Sequence, residues 1–285
     1  MSSEVTKIPC LPQIGADVEA FLYSNKENRF VPCVGVLPGT KENPFPLPGM
    51  PKGYAVQEDN VMVEFNIPPK KTPGQFTTAI HKAVSGVRAM LEEKYPTEFR
   101  MYFKADARFM QKDLTSQQAK LIGCEPDFNA YEGGVMRRDP PPIGVHRGAG
   151  GHIHLGGDFQ CPDFIAALFA DLSLGVAAYT KLTKARRDDW YGKPGVYRPK
   201  PYGIEYRSPD CMWAQDQDST GHVAHNAILL ARWLTKTDAR DIQTTFRGID
   251  WNRVYQYNSH SDAIHDRDEA RNIIINEAQL AGLPV

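Results

Sequence analysis

Polar and apolar residues alternate in several short segments of the chain, and this period of two predicts β-strands. Four segments place two polar side chains at positions i and i+2 around one apolar residue: Asp17-Val18-Glu19, Glu64-Phe65-Asn66, His152-Ile153-His154 and Glu205-Tyr206-Arg207. Side chains alternate across a strand, so each polar pair points to one face while the apolar residue points to a core. We therefore expect the four strands to line one pocket.

Apolar residues recur every three or four positions in other segments, and this period predicts helices. Helices are predicted over residues 74–95 and 162–186, and the C-terminal part, residues 219–285, is predicted to be helical. Residues 29–53 are rich in proline and glycine, which predicts a long ordered loop, because proline supplies no amide hydrogen to a central strand. Such a loop either covers a site or is a dispensable insertion.

The overall composition is that of an ordinary soluble globular protein, with 41% hydrophobic and 24% charged residues among 285. The net charge of −1 excludes a bulk electrostatic attraction to nucleic acid or to an anionic membrane. Transmembrane helices need about 20 apolar residues in a row, which no stretch approaches, and the first residues contain no signal-peptide core. We expect a single domain over residues 1–285 in the cytoplasm, with the oligomeric state left open.

The five cysteines are odd in number, widely spaced and without a Cys-x-x-Cys pair. This pattern is typical of small buried residues in a reducing compartment. A metal site is therefore expected among carboxylates and imidazoles.

Carboxylates dominate the first two polar pairs. Asp17 and Glu19 repel each other unless a cation lies between them, which favours Mg²⁺ or Mn²⁺; the alternative is a solvated strand edge. Glu64 lies in an otherwise apolar strand and needs a partner when buried. A cation is the natural partner, and Glu58 or Asp59 is a candidate for a further ligand.

Imidazoles and guanidinium groups complete the predicted pocket. In the fourth pair, Glu205 is suited to bind a metal while Arg207 holds a phosphate oxygen that the metal also touches. The alternatives are an in-strand salt bridge and, for the two histidines, an ordinary structural pair. Neither a Walker loop nor a dinucleotide-binding fingerprint is present, so metals are expected to hold any nucleotide.

Basic residues outside the four pairs are candidates for contacts with an anionic ligand. Arg147 lies beside glycines that allow close backbone approach. Arg198 and Lys200 lie in an aromatic, proline-rich segment, and Lys104 lies in an alternating segment that is either a solvated sheet face or part of a phosphate-binding wall.

Four motifs in order carry a resemblance to a known family: Gly-x-Asp-x-Glu from Gly15, Glu-Phe-Asn-x-Pro from Glu64, Gly-His-x-His-x-Gly from Gly151 and Gly-Ile-Glu-Tyr-Arg-Ser-Pro from Gly203. Together they resemble the carboxylate–amine ligases of the glutamine synthetase and glutamate–cysteine ligase superfamily, and most closely the phage-encoded COOH-NH2 ligase type 2 group. The resemblance spans residues 15–213. One departure is Asp17, which stands where many relatives have glutamate.

The resemblance implies an α+β fold in which a curved, mainly antiparallel sheet lines the active site and helices pack on its outer face. It implies ATP-dependent amide formation through an acyl phosphate, with two or three Mg²⁺ or Mn²⁺ ions and with small-molecule or peptide acids and amines as substrates. The implied metal ligands are Asp17, Glu19, Glu64, His152 and Glu205. The expected catalytic residues are Arg207, Glu205 and Arg147, and the expected nucleotide-binding residues are Arg207, Arg198, Lys200, Lys104 and His154.

Two other functions are compatible with the same residues. A metal-dependent phosphohydrolase would use the same ligands without an amine. A catalytically inactive phage protein would keep the ligase-like fold and would fail to bind Mg²⁺–ATP.

Overall fold

The computed structural model describes residues 7–120, 127–136, 144–175 and 192–259, together with positions 276, 279, 282 and 283. Residues 176–186 of the helix predicted over 162–186, and most residues after 259 in the part predicted to be helical over 219–285, lie outside them.

An 11-stranded antiparallel sheet forms the centre of the described part of the chain. Its main path runs β3-β4-β5-β1-β11-β13-β12-β8-β9, and β2 and β6 also pair with β1. A separate pair joins β10 to β7. The strands are β1 (Gln13–Ser24), β2 (Arg29–Val31), β3 (Phe45–Pro46), β4 (Ala55–Asp59), β5 (Met62–Lys70), β6 (Phe99–Tyr102), β7 (Asp106–Arg108), β8 (Phe128–Asn129), β9 (Val135–Met136), β10 (His146–Gly148), β11 (Gly151–Gly156), β12 (Val196–Lys200) and β13 (Gly203–Tyr206).

Strand β1 organises the sheet because its two halves pair with different neighbours. The first half pairs with β5 and β11, and the second half pairs with β2 and β6. The alternating polar residues lie in the first half, and the run Ala20-Phe21-Leu22 is buried in the second. One strand thus joins the polar centre of the sheet to an apolar extension.

Apolar residues cover the face of the sheet that carries the helices. Val18, Phe65, Ile153 and Tyr206 are fully buried, as the alternation predicts for the apolar residue within each polar pair. Helix α1 (Pro73–Lys94) packs on β5, and helices that follow later in the chain contact β1, β11 and β13. The opposite face of these strands holds the polar residues.

Local capping explains where the long helices begin. Helix α1 (Pro73–Lys94) starts where the Thr72 side chain accepts a hydrogen bond from the Gln75 amide and Pro73 enters the first turn. Helix α4 starts where Asp216 accepts from the Ser219 amide. The other α-helices are α2 (Gln117–Lys120), α3 (Asp163–Ser173), α5 (Ala239–Gly248) and α6 (Trp251–Ser259), and α4 spans Gln217–Lys236.

These elements form an α+β fold with a large antiparallel sheet, as predicted. The segment predicted as a loop over residues 29–53 also contains strands β2 and β3, because residues 29–31 pair with β1 and residues 45–46 pair with β4. The predicted strand with His152 and His154 is β11, which pairs with β1, and the short strand β10 that precedes it pairs with β7.

None of the described helices combines the length and the apolar character that crossing a membrane requires.

Candidate functional site

Three rows of polar side chains cross the sheet on the face opposite the helices. Directly paired residues of neighbouring antiparallel strands point to the same face, so the register of the strands fixes which residues meet. The rows are Gln57, Glu64 and Glu19; then Asn66, Asp17 and His152; then Gly15, His154, Glu205 and Arg198. The four polar pairs predicted from the sequence therefore lie on one face of one sheet.

Glu19, Asp59 and Glu64 form the first acidic group, in which one oxygen from each lies within 4.8 Å of the others. Burial raises the pKa of Glu64 well above its usual value, and the carboxylates of Asp17, Asp59 and Glu19 raise it further. Burial also raises the pKa of Glu19, against the partly compensating charge of His152. Glu19 and Glu64 are buried carboxylates that resist ionisation, and the partly buried Asp59 lies beside them. Such a group is suited to a divalent cation, because a cation relieves both the burial penalty and the mutual repulsion.

The acidic neighbour at the entrance of β5 is Asp59 and not Glu58. Glu58 accepts hydrogen bonds from the Leu37 amide and from the Gln118 side chain, so it anchors the 29–53 segment. Asp59 lies on the same strand face as Gln57, which donates to Glu64 at 2.9 Å. Of the two candidates that the sequence left open, the structure places Asp59 beside Glu19 and Glu64.

Asp17, His154 and Glu205 form the second group, again with one ligand atom from each within 4.8 Å. His154 contacts Asp17 through Nε2 and the Tyr202 hydroxyl through Nδ1. Burial alone would raise the pKa of Asp17, but the charge of His154 and hydrogen bonds from His154 and His152 hold that pKa well below its usual value. Burial opposes protonation of His154, yet Asp17 outweighs burial and raises the pKa of His154.

His152 lies beside the second group and faces a guanidinium group. Its Nδ1 is 3.1 Å from an Arg207 terminal nitrogen, 3.7 Å from a Glu205 oxygen and 3.9 Å from an Asp17 oxygen. The sequence predicted His152 as the metal ligand and His154 as the nucleotide contact. The structure places His154 within the three-residue group, with His152 adjacent to it.

Glu205 is surrounded by three cations. Arg207 contacts it directly, Lys200 lies 2.7 Å away and Arg198 lies 3.6 Å away. Burial disfavours the ionised form of Glu205, but the Arg207 guanidinium outweighs burial and lowers the pKa of this carboxylate. The structure therefore brings three of the predicted phosphate-binding residues to one end of the site.

Two further residues belong to this arrangement and were missed from the sequence. Asp127 lies directly before β8, 3.0 Å from Arg198 Nε and 3.1 Å from Arg207 Nε. Tyr202 stacks on His154 and contacts its Nδ1. The polar–apolar–polar sequence Asp127-Phe128-Asn129 was the available signal for Asp127; no sequence signal distinguished Tyr202 from the other tyrosines.

Arg147 and Lys104 are placed elsewhere by the contacts they make. The Arg147 guanidinium donates to the backbone carbonyls of Gly144, His146 and Ala119. The Lys104 ammonium lies over the Phe30 ring, 5.2 Å from its centre. The structure thus does not bring these two predicted site residues to the acidic groups.

Gly150 and Gly151 directly precede the histidines and allow close packing at the site. The Gly150 amide donates to a Glu19 carboxylate oxygen. A Cβ atom on Gly151 would lie closer than 3.0 Å to Trp213 Nε1 and to the Asp210 carbonyl, and Trp213 Nε1 donates to the Gly151 carbonyl. Glycine at position 151 lets Trp213 pack directly beneath the start of the histidine strand.

Part of the chain also matches a known protein family. Residues 144–266 match the family model described as phage phiEco32-like COOH.NH2 ligase-type 2, which confirms the resemblance predicted from the motifs. No curated protein matches the chain. The matched range contains His152, His154, Glu205 and Arg207, whereas Asp17, Glu19 and Glu64 precede it. The match supports an enzyme that joins a carboxylate to an amine.

Proposed function

We propose that this chain, with its match to the phage COOH-NH2 ligases over residues 144–266, is an ATP-dependent carboxylate–amine ligase. The reaction forms an amide from an acid and an amine, through an acyl phosphate made at the expense of ATP. The substrates are small molecules or peptides, and we place the reaction in the cytoplasm.

One observation carries the proposal: two carboxylate-containing groups and a cluster of cations occupy one face of the same sheet. The groups of Glu19, Asp59 and Glu64 and of Asp17, His154 and Glu205 each have the oxygen-rich ligands that Mg²⁺ and Mn²⁺ prefer. Arg207, Arg198 and Lys200 adjoin the second group. Cations beside a hard-metal site are suited to bind phosphoryl oxygens.

The residues of the chain have distinct tasks in this proposal. The two groups hold divalent cations, and His152 lies where it contacts both a guanidinium group and the second group. Bound Mg²⁺ would supply neutralisation of phosphoryl charge. Arg207 and Arg198 bind and orient phosphoryl oxygens, and Lys200 balances the charge of Glu205. Catalysis then depends on positioning and on charge neutralisation, without a nucleophilic side chain.

The fold is also part of the proposal. We infer a glutamine synthetase-like catalytic domain, in which the polar face of the sheet lines the active site. The antiparallel sheet with helices on its apolar face supports this inference.

The test is amine-dependent ATP turnover. The purified protein is incubated with Mg²⁺, ATP and a panel of amino acids and short peptides, with hydroxylamine as the amine. We expect ADP release that requires both acid and amine, together with a hydroxamate product. Glu205→Ala and His152→Ala should abolish this turnover, and Glu93→Ala, at an exposed position of α1, is the matched control.

Two results would contradict the proposal. ADP release that is unaffected by the amine would identify a phosphohydrolase. Unchanged turnover in both Glu205→Ala and His152→Ala would exclude this site as the catalytic centre.

A further inference from the structure

Asp127 occupies a defined place at the end of the cationic cluster. In the antiparallel pair of β8 and β12, Asn129 faces Val196 and Phe128 faces Tyr197, so the next positions are Asp127 and Arg198. Arg198 in turn faces Glu205 on β13. Asp127 therefore extends the row of His154, Glu205 and Arg198 by one strand, on the polar face of the sheet.

One oxygen of Asp127 approaches two guanidinium groups. Asp127 Oδ1 lies 3.0 Å from Arg198 Nε and 3.1 Å from Arg207 Nε. The terminal NH1 nitrogens of both arginines approach one oxygen of Glu205, at 3.6 Å for Arg198 and in direct contact for Arg207. The four side chains thus form a closed ring in which negative and positive groups alternate.

Burial makes this ring energetically important. Asp127 is 3% exposed and Glu205 1% exposed, while Arg198 is 8% and Arg207 6% exposed. Two guanidinium groups at such short range repel each other, and removing one partner of a buried charge set leaves the others uncompensated. Asp127 offsets the repulsion through its approach to both arginines, and it is not a member of either three-residue group suited to a cation.

We infer that Asp127 is a positioning residue, which fixes Arg198 and Arg207 so that both guanidinium groups meet the phosphoryl group of the nucleotide. This inference rests on the proposed function and extends it to a residue that touches neither substrate nor cation. Without Asp127 both arginines are drawn towards Glu205 alone, which displaces them from the phosphoryl group and sets them in competition with a cation at Glu205.

The experiment measures binding and turnover separately. Binding of a nonhydrolysable ATP analogue with Mg²⁺ is followed by calorimetry, and kcat and KM for ATP are measured in the ligation assay. We compare Asp127→Asn, Asp127→Glu and the control Asp113→Asn, which removes a carboxylate that pairs with Arg29 at another part of the fold. Thermal unfolding of each variant reports whether it is folded.

Asp127→Asn should lower kcat by about 100-fold and analogue affinity by about tenfold, because a misplacement on the order of 1 Å costs about 100-fold in rate. Asp127→Glu keeps the charge on a longer side chain, so we expect an intermediate loss with the melting temperature of the wild type. The control should leave kcat and affinity unchanged. If Asp127→Asn does not fold, the Asp127→Glu variant carries the test.

A double-mutant cycle separates positioning from general structural support. When Arg198→Ala is already present, Asp127→Asn should reduce analogue affinity less than it does in the wild type, because one of its two targets is gone. Independent effects that simply multiply would overturn the inference. A folded Asp127→Asn or Asp127→Glu variant with wild-type kcat and affinity would also overturn it.

Different experimental results would contradict the proposed ligase function and the proposed role of Asp127. A wild-type protein that binds the analogue without amine-dependent turnover contradicts the ligase function, while the binding cycle still decides the role of Asp127. A wild-type protein that binds no Mg²⁺–ATP analogue contradicts both.

Discussion

The environment of Glu64 in the folded protein disfavours ionisation of its carboxyl group. Its folded-state pKa is raised by burial and by three neighbouring carboxylates, so the native state keeps a proton that the unfolded chain releases near pH 4.5. Stability without metal therefore falls as the pH rises from that value to the folded-state pKa, by about 1.4 kcal/mol for each unit of raised pKa. Glu64→Gln removes this loss and keeps an oxygen for the Gln57 hydrogen bond.

We expect Glu64→Gln in a chelator to melt above the wild type near pH 8, by about 2 °C for each kcal/mol recovered. Near pH 4 the two proteins should melt together, because the wild-type carboxyl is then protonated in both states. The exposed Glu93→Gln serves as control and should show no such pH-dependent difference. A Glu64→Gln variant that melts below the wild type near pH 8 would show that Glu64 is stabilised by ionisation.

Tyr202 supports a candidate ligand from outside the three-residue group. Its hydroxyl contacts His154 Nδ1, and its ring stacks on the imidazole with a centroid distance of 5.9 Å. Side chains that orient a metal-binding histidine typically change metal affinity by about 10- to 100-fold. We expect Tyr202→Phe to weaken Mn²⁺ binding within this range, measured by calorimetry. Tyr23→Phe, which removes a hydroxyl bonded to Asn28 instead, should leave the affinity unchanged.

Single residues also show how far the sequence was informative. Alternation predicted that Asp17, Glu64, His154 and Glu205 share one face, and the register of the strands places them there. Alternation does not specify which strands are neighbours. The inclusion of His154 in the second group and the contact of Asp127 with two arginines both depend on cross-strand register, so they became visible only in the structure.

At the level of elements, strand β11 depends on a glycine at its start. A Cβ on Gly151 would approach both Trp213 Nε1 and the Asp210 carbonyl closer than 3.0 Å, and the Asp210 atom belongs to backbone that cannot rotate away. We expect Gly151→Ala to destabilise the protein by about 1–3 kcal/mol, as overpacking of a close contact does. Because His152 follows directly, cation affinity should fall as well. Urea unfolding and calorimetry measure the two effects.

The matched control is a glycine at which alanine should raise the stability of the protein instead of lowering it. Gly221 lies within helix α4, where a Cβ would meet nothing within 4 Å. Alanine is favoured over glycine inside a helix by about 0.5–1 kcal/mol. Gly221→Ala should therefore stabilise the protein without affecting cation affinity. If Gly151→Ala were equally stabilising, the close approach of Trp213 would not constrain β11.

The sequence predicted best the helices in which the hydrophobic period extends over many residues. It predicted least well the short strands that form only because a neighbouring strand pairs with them. The 3–4 residue period over residues 74–95 corresponds to α1, because its apolar positions form one buried stripe. Proline and glycine in residues 29–53 indicated a loop, yet residues 29–31 form strand β2 and residues 45–46 form strand β3. Such short strands have no period to detect, and they exist because β1 and β4 offer pairing partners.

At the scale of the whole molecule, the sheet brings together buried ionisable side chains, and burial of any one of them without the others would destabilise the protein. The polar face combines Glu19 and Glu64, whose pKa values are raised by burial, with Asp17 and Glu205, whose pKa values are lowered by His154 and by Arg207 against the effect of burial. The two behaviours separate the face into a part whose carboxylates resist ionisation and a part whose carboxylates are stabilised in the ionised form by neighbouring basic side chains. A divalent cation should therefore act mainly on the part formed by Glu19, Asp59 and Glu64.

Cation binding should consequently release protons. Carboxylates bind metal in the ionised form, and Glu64 and Glu19 retain protons above their usual pKa in the metal-free protein. Affinity for Mn²⁺ should therefore rise with pH up to the folded-state pKa of Glu64 and level off above it. Calorimetry in two buffers of different ionisation enthalpy measures the protons released per ion bound. Glu64→Gln should release fewer protons than the wild type, whereas Glu93→Gln should release the same number; binding without proton release in the wild type would contradict a cation at this carboxylate group.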